Sequence, residues 1–237
     1  MTSEFGCYFL FKDMEREITA IRAQKHNRDR LNVELDGEFA FGVSRMAAGW
    51  LKVGDFLTEE RIESLLKTDE FEAAYQKATR LIGYRPRTQF EVRQKLQQKG
   101  FAYDVIDQVL ERLTRANLVQ DQQYAQMWIE NRNEMHPRSQ RLMRYELKNK
   151  GISDQMIDNA LVDSADDSKL AFKAAEEYSR KLNKLDRELF QKRLGAYLAR
   201  RGFSFETARP VIESLVRSLD DDQSKILKYE DEEYGDY

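Results

Sequence analysis

Cysteine is all but missing: Cys7 is the only one in 237 residues. An internal disulfide is therefore excluded, which fits a reducing cytosol. Histidine is as scarce, with His26 and His136 far apart in the chain. That shortage excludes a four-ligand Cys/His zinc centre and leaves no material for a Ser-His-Asp or Cys-His nucleophile; His26 reads as a turn residue. No apolar run approaches the ~20 residues of a membrane span. The aromatic stretch Phe5, Tyr8, Phe9, Leu10, Phe11 is broken too soon by Lys12-Asp13 to be a secretory signal. The Gly-Lys-(Ser/Thr) ending of a phosphate-binding loop is absent too. Acids are plentiful, but on helices such carboxylates read as solvated faces. The reading is a non-enzyme: no catalytic residue, metal ligand or cofactor-binding residue is assigned.

What is abundant is charge. With 34% charged and 41% hydrophobic residues, the chain reads as soluble and surface-rich, long enough for one domain or two. Its net charge of −3 hides an asymmetry. From Asp220 onward eight acids face Lys225 and Lys228, a net of −6. From Ala74 to Lys150 fifteen Lys/Arg face eight Asp/Glu, a net of +7. A basic centre with an acidic end points to a polyanionic partner and to a tail that mimics and competes with it.

The chain also repeats itself. Leu96-Gln97-Gln98-Lys99-Gly100-Phe101 returns as Leu147-Lys148-Asn149-Lys150-Gly151-Ile152 and as Leu198-Ala199-Arg200-Arg201-Gly202-Phe203, at a fixed period of 51. Val92, Met143 and Leu194 share that register, as do Ile106, Ile157 and Ala208. Each motif reads as a helix end. A glycine just past the helix takes the left-handed conformation, the next apolar residue packs back on the leucine, and a cation suits the last turn. Leu96, Gly100, Leu147, Gly151, Leu198 and Gly202 are thus structural.

In chain order, residues 1–16 are unplaced. Ile18–Gln24 reads as a strand. Leu31, Val33 and Leu35 alternate with polar residues as a second, and Asp36-Gly37 turns the chain into a third over Glu38–Val43. This small three-stranded meander needs a helix against one face. Thr58 caps a linking helix with Ile62, Leu65 and Leu66 inside, and Asp69 is expected to cap a further helix that ends near Tyr84, before Pro86. Thr88 and Glu91 form a capping box for the helix that ends at Gly100. Caps are expected near Asp104 and at Asp121, Ser139, Ser153 and Asp186. Pro210 implies either a kink in the last helix or a start as late as Thr207. The expected fold is mainly α, three tandem three-helix repeats preceded by a β-meander extension. Its parts are a β extension with linking helix over 17–68, repeats over 69–116, 117–166 and 167–219, and a disordered acidic tail over 220–237.

Tyr84-Arg85-Pro86-Arg87-Thr88, the three helix-end motifs and Leu118-Val119-Gln120-Asp121-Gln122-Gln123-Tyr124-Ala125 together resemble the RecX family, bacterial regulators of the RecA recombinase. Asn32–Gly42 resembles the β extension of some members. The resemblance covers residues 17–219, which makes Met14 a candidate start codon. Gln120 departs from the first aspartate of an Asp-Asp pair. The third repeat lacks the proline of the first two and is the least regular. The resemblance implies a curved array that lies in the groove of the RecA–DNA filament, bridges protomers, and suppresses ATP hydrolysis, strand exchange and co-protease activity. It also implies binding of single- or double-stranded DNA by the repeats. A cytoplasmic monomer is expected. Two other readings stay open: a DNA-binding repeat module that needs no recombinase, and a protein-binding helical scaffold.

The residues expected to meet DNA or recombinase are cations. Arg141, Arg144 and Lys148 fall within roughly 60° of one helix face. Arg138 precedes them, Arg132 lies just upstream, Lys150 ends the same helix, and Arg85 and Arg87 occupy the matching loop one repeat earlier. Arginine suits forked contacts to phosphate or carboxylate. The competing reading of this stripe is a solvated face that balances nearby acids. Trp128 reads as packing.

Overall fold

The computed structural model describes residues 15–218, apart from 26, 183 and 184. The expectations for residues 1–14, His26 and the acidic tail lie outside it. The described residues form two compact units. One holds the chain up to Pro86 together with Val92–Val119; the other holds Arg87–Glu91 and the chain from Gln120.

The first unit opens with strands β1 (Arg16–Ala23), β2 (Arg30–Leu35) and β3 (Glu38–Ser44), joined antiparallel. Asp36 and Gly37 both take positive φ, 52° and 89°, as a tight hairpin turn demands. Asp36 also accepts from Arg16 Nε at 2.7 Å and from the Glu17 amide at 3.0 Å. The Arg16 bond, then the amide, holds its carboxyl below the usual carboxylate range. The expected meander has a fourth member: β4 (Phe56–Leu57) pairs with Arg16 and Glu17, giving the order β3-β2-β1-β4. Ile18, Val33, Leu35, Phe41 and Val43 form one apolar face, covered by Leu51, Leu57 and Leu65. Each such fully buried side chain is worth about 1.5–3 kcal/mol against exposure.

Leu65 belongs to α1 (Glu59–Tyr84), capped by Thr58, whose hydroxyl accepts from the Arg61 amide. This single helix replaces the two expected on either side of Asp69. Asp69 is no cap. It is 5% exposed in mid-helix, accepting from the Ser44 amide at 2.7 Å and pairing with Arg30 Nη2 at 2.9 Å. A tertiary partner has claimed a carboxylate that sequence alone assigns to the local backbone. Further along α1, Ala74 and Ala78 pack with Val92 and Leu96 of α2 (Gln89–Gln97) and with Val105, Ile106, Val109, Leu110 and Leu113 of α3 (Tyr103–Arg115). The cap expected near Asp104 is instead Ala102, which has no side-chain bond to offer, and Asp104 sits in the first turn.

The second unit carries α4 (Asp121–Met135), α5 (Gln140–Lys148), α6 (Asp154–Leu161), α7 (Asp167–Ser179), α8 (Arg187–Arg200) and α9 (205–218) around one core. Ser139, Ser153 and Asp186 cap α5, α6 and α8 as expected. Asp121 does not cap α4: Gln120 holds that position, and the Asp121 carboxylate accepts from the Gln89 amide at 2.9 Å. Asp167 treats the Gln140 amide in the same way at 2.7 Å. So α2 and α5 each borrow a carboxylate from a later helix. Helix α9 starts at 205, behind a Ser204 hydroxyl that accepts from the Thr207 amide at 3.1 Å, which overturns a start as late as Thr207. Pro210 lies inside the helix and deprives the Glu206 carbonyl of its amide, but both residues are exposed to solvent.

All three helix-end motifs close as the glycine argument requires. Phe101, Ile152 and Phe203 donate to Leu96, Leu147 and Leu198 carbonyls at 3.4, 3.1 and 3.2 Å. Gly100, Gly151 and Gly202 all have positive φ.

Candidate functional site

The expected cations separate into two groups on the second unit, apart from the loop at Arg85 and Arg87. There Arg85 is exposed and donates to the Pro86 carbonyl at 3.1 Å, while Arg87 is half-buried.

The first group is an inward cluster of cations and aromatic rings. Glu146 on α5 accepts from Arg132 Nε at 3.1 Å and from Trp128 Nε1 at 2.9 Å, and its other oxygen pairs with Arg138. Arg132 Cζ lies 4.3 Å from the centre of the Trp128 ring. Lys150 Nζ lies 4.9 Å from the same ring and 3.0 Å from Glu91. Burial presses the Arg132 guanidinium pKa down. It does the same to Arg138, where repulsion from Arg132 and Arg201 adds to it. Burial also acts against the Lys150 ammonium, but hydrogen bonding to Glu91 and Tyr124 outweighs it, and the pKa rises above the usual lysine range. These cations hold the frame: one carboxylate serves two arginines and an indole. Trp128 is a half-buried packing residue with a polar handle, as expected.

The second group lies along the groove between α5 and α6. Arg144 reaches Asp158 at 2.5 Å and Asp154 at 3.7 Å, and Lys148 reaches Asp154 at 2.7 Å. Among the described residues Arg141 bonds only to the Gly202 carbonyl, at 3.5 Å. Arg144 and Lys148 keep side-chain exposures of 37% and 50%. Ion pairs this wet are worth about 0–1 kcal/mol, so a phosphate or a partner's carboxylate can displace the aspartates at small cost.

Sequence reasoning misses Glu146, the carboxylate at the centre of the inward cluster. It also misses Arg201, which stands 51 residues after Lys150, donates to the Pro137 carbonyl at 3.3 Å and lies 4.9 Å from the Tyr197 ring. The period contains the signal for Arg201, since it aligns with an assigned cation.

The helix-end glycines gain a second role. An added Cβ at Gly151 meets Phe90 Cβ at 2.3 Å, and one at Gly202 meets Ser139 Oγ at 2.6 Å. Thr88 Oγ1 donates to the Lys150 carbonyl at 2.7 Å, and the Ser139 amide donates to the Arg201 carbonyl at 3.0 Å. Within this unit, therefore, the end of one middle helix seats against the capping residue 62 positions before it, Thr88 for Lys150 and Ser139 for Arg201.

Among the described residues no group of three or more His, Cys, Asp or Glu side chains is placed to hold a metal, and no helix is long and apolar enough to cross a membrane.

Four family models match the chain in order. They are the regulatory protein RecX N-terminal domain over residues 16–58 and the RecX first, second and third three-helix domains over 74–113, 121–161 and 165–212. The regulatory protein RecX of Leuconostoc citreum is 31% identical over 204 residues, spanning 84% of this chain and 76% of its own. That of Clostridium perfringens strain SM101 is 29% identical over 208 residues, spanning 85% and 97%. A crystal structure of a regulatory protein RecX superposes with a TM-score of 0.60 at 25% identity, covering 84% of this chain and 99% of the other.

Proposed function

Because this chain belongs to the RecX family of regulatory proteins, we propose that it regulates the RecA recombinase without chemistry of its own. It lies in the groove of the RecA–DNA filament and holds down ATP turnover, strand exchange and co-protease activity. The observation that carries this reading is the ordered match of all four family domains over residues 16–212. The cation arrangement supports a polyanionic partner. Arg141, Arg144 and Lys148 are the outer contacts, exposed enough to exchange their present partners. Arg132, Arg138 and Lys150 set the position of α5 beneath them, and Arg85 and Arg87, in the matching loop one repeat earlier, are further contacts. The protein acts as a cytoplasmic monomer on RecA and DNA.

The test is ATP turnover by RecA on single-stranded DNA with this protein titrated in. Turnover should fall as the protein binds the filament. Unchanged turnover together with no filament binding removes the reading. A second reading, a DNA-binding module that needs no recombinase, draws on the +7 charge between Ala74 and Lys150. It predicts steeply salt-dependent binding to DNA alone with no effect on turnover.

A further inference from the structure

The first unit contains a basic cleft built from cations other than those of α5 and the Arg85–Arg87 loop. It has a volume of about 600 Å³ and lies between the β-sheet and α1. Its charged lining is Asp29, Arg30, Arg45, Glu72, Lys77 and Arg80. Two of these charges are held in ion pairs. Arg30 is spent on Asp69 at 2.9 Å, and Glu72 is spent on Arg112 at 2.9 Å. Among the described residues the Arg45 guanidinium donates only to a backbone carbonyl, that of Arg28, at 3.2 Å. Among the described residues, Arg45, Lys77 and Arg80 have no carboxylate within ion-pair distance, and Asp29 is the one lining acid left uncommitted.

The helix side of the cleft is ordered by the 3.6-residue repeat. Ala73, Lys77 and Arg80 line it at i, i+4 and i+7, and the same stripe of α1, about 16 Å long, runs one turn beyond the lining to i+11. It ends on Tyr84, an aromatic ring 80% exposed to solvent. Cations that follow a groove beside an exposed ring are the two elements by which proteins hold an unpaired strand: phosphates go to the cations and a base stacks on the ring. The exposed ring favours an unpaired strand, because a duplex keeps its bases stacked on one another.

We propose that this cleft binds single-stranded nucleic acid, with Arg45, Lys77 and Arg80 contacting phosphates and Tyr84 stacking a base. The site is separate from the α5 cations and needs no recombinase. The filament regulator therefore carries its own grip on an exposed strand.

The experiment uses the full chain and a fluorescein-labelled oligodeoxythymidylate alone, read by fluorescence anisotropy across a salt series. Replacing Arg45, Lys77 and Arg80 together by Gln should weaken binding at least about tenfold at low salt. It should also flatten the slope of log affinity against log salt by about 2, three single-strand contacts at ~0.7 each. Tyr84→Ala should cost about tenfold while Tyr84→Phe binds like the parent, since the ring and not the hydroxyl carries the stack. Unchanged melting of the Gln variant, followed by circular dichroism, separates lost contacts from lost fold. Parent-like affinity and slope in the Gln variant overturn the proposal, as does absence of oligonucleotide binding by the parent. So does a Gln variant that loses filament binding yet keeps the oligonucleotide, because the cleft then takes an acidic protein segment. Failure of the parent to slow ATP turnover bears on the proposed regulation and leaves this assay intact.

Discussion

Arg144 reaches across from α5 to Asp158 on α6 at 2.5 Å, repeating a bond made 51 residues earlier, where Arg93 on α2 reaches Asp107 on α3 at 2.6 Å. A further 51 residues on, the strut is gone: the positions hold Gly195 and Arg209, and Arg209 turns to Glu213 on its own helix at 2.8 Å. In its place runs a groove of about 590 Å³, floored by Ala196, Ala199, Phe203 and Ile212. Gly195 lies inside α8 with no positive φ, and an added Cβ makes ordinary contact with Ile212 Cδ1 at 3.7 Å. Gly195→Ala should therefore stabilise the protein by about 1 kcal/mol, the helix-propensity difference, and raise the urea midpoint. A fall in the midpoint means that the groove needs its full depth.

The three helix-end glycines should differ in cost. All share the left-handed backbone, for which a Cβ costs roughly 1–2 kcal/mol. At Gly100 none of the described residues lies within 4 Å of an added Cβ, whereas at Gly151 it meets Phe90 at 2.3 Å. Gly100→Ala should cost about 1–2 kcal/mol, and Gly151→Ala about 1–3 kcal/mol more through overpacking. Urea unfolding of the two variants measures the gap directly. Equal losses would mean that Phe90 moves aside freely.

Asp69 should be the most sensitive charged residue of the first unit. Its carboxylate takes the Ser44 amide and the Arg30 guanidinium in a nearly dry position. Asp69→Ala leaves both donors unanswered and should cost about 2–4 kcal/mol, with the partly exposed Arg30 softening the loss. Asp69→Asn keeps an acceptor for Ser44 and should cost less. Chemical denaturation gives both values, and an Ala variant within 1 kcal/mol of the parent would show that water reaches the two donors.

Much of this fold is local and for that reason legible. The Leu-x-x-x-Gly-apolar ends, the Asp36-Gly37 turn and the caps Ser139, Ser153 and Asp186 each depend on a few adjacent residues. What escapes a linear reading depends on residues far away. Strand β4 is two residues long and exists because Arg16 and Glu17 pair with it. Asp69 has the local look of a cap, yet its donors come from β2 and β3. Asp121 satisfies an amide 32 positions earlier. In the candidate site the cations were visible as cations, but not the acids they meet. Asp154 and Asp158 are on the facing helix, and only comparison with Arg93 and Asp107 one period earlier reveals that pairing.

Asp121 should give the stability curve a pH slope. Burial raises its pKa above the usual carboxylate range; the Gln89 amide pulls the other way, and Glu91 adds to the rise. A carboxyl whose folded pKa lies above its unfolded value favours folding while protonated, and that advantage is lost as pH rises from the ordinary carboxylate range through the raised value. Asp121→Asn keeps an acceptor for Gln89 and cannot ionise. Its stability relative to the parent should therefore improve over that pH interval and level off above it. Denaturation midpoints taken at several pH values test this, and a constant difference between the two proteins contradicts it.

The α5 stripe allows a test that does not depend on breaking anything. Asp154 and Asp158 occupy Arg144 and Lys148, and a phosphate or acidic partner must displace them. Replacing both aspartates by asparagine removes the competitors and leaves the cations in place. If these cations contact the partner, affinity for DNA-bound RecA should rise several-fold at low salt, and the gain should vanish at high salt, where exposed charges are screened. Arg141→Ala, Arg144→Ala and Lys148→Ala together should act in the opposite sense. Where the partner is phosphate on a single strand, they should lower the salt slope by about 2. The opposed signs are the useful feature, because general destabilisation lowers affinity in both variants, whereas competition for the same cations moves them apart. Binding that stays at the parent level in both would make the stripe a solvated face whose charges serve α6 alone.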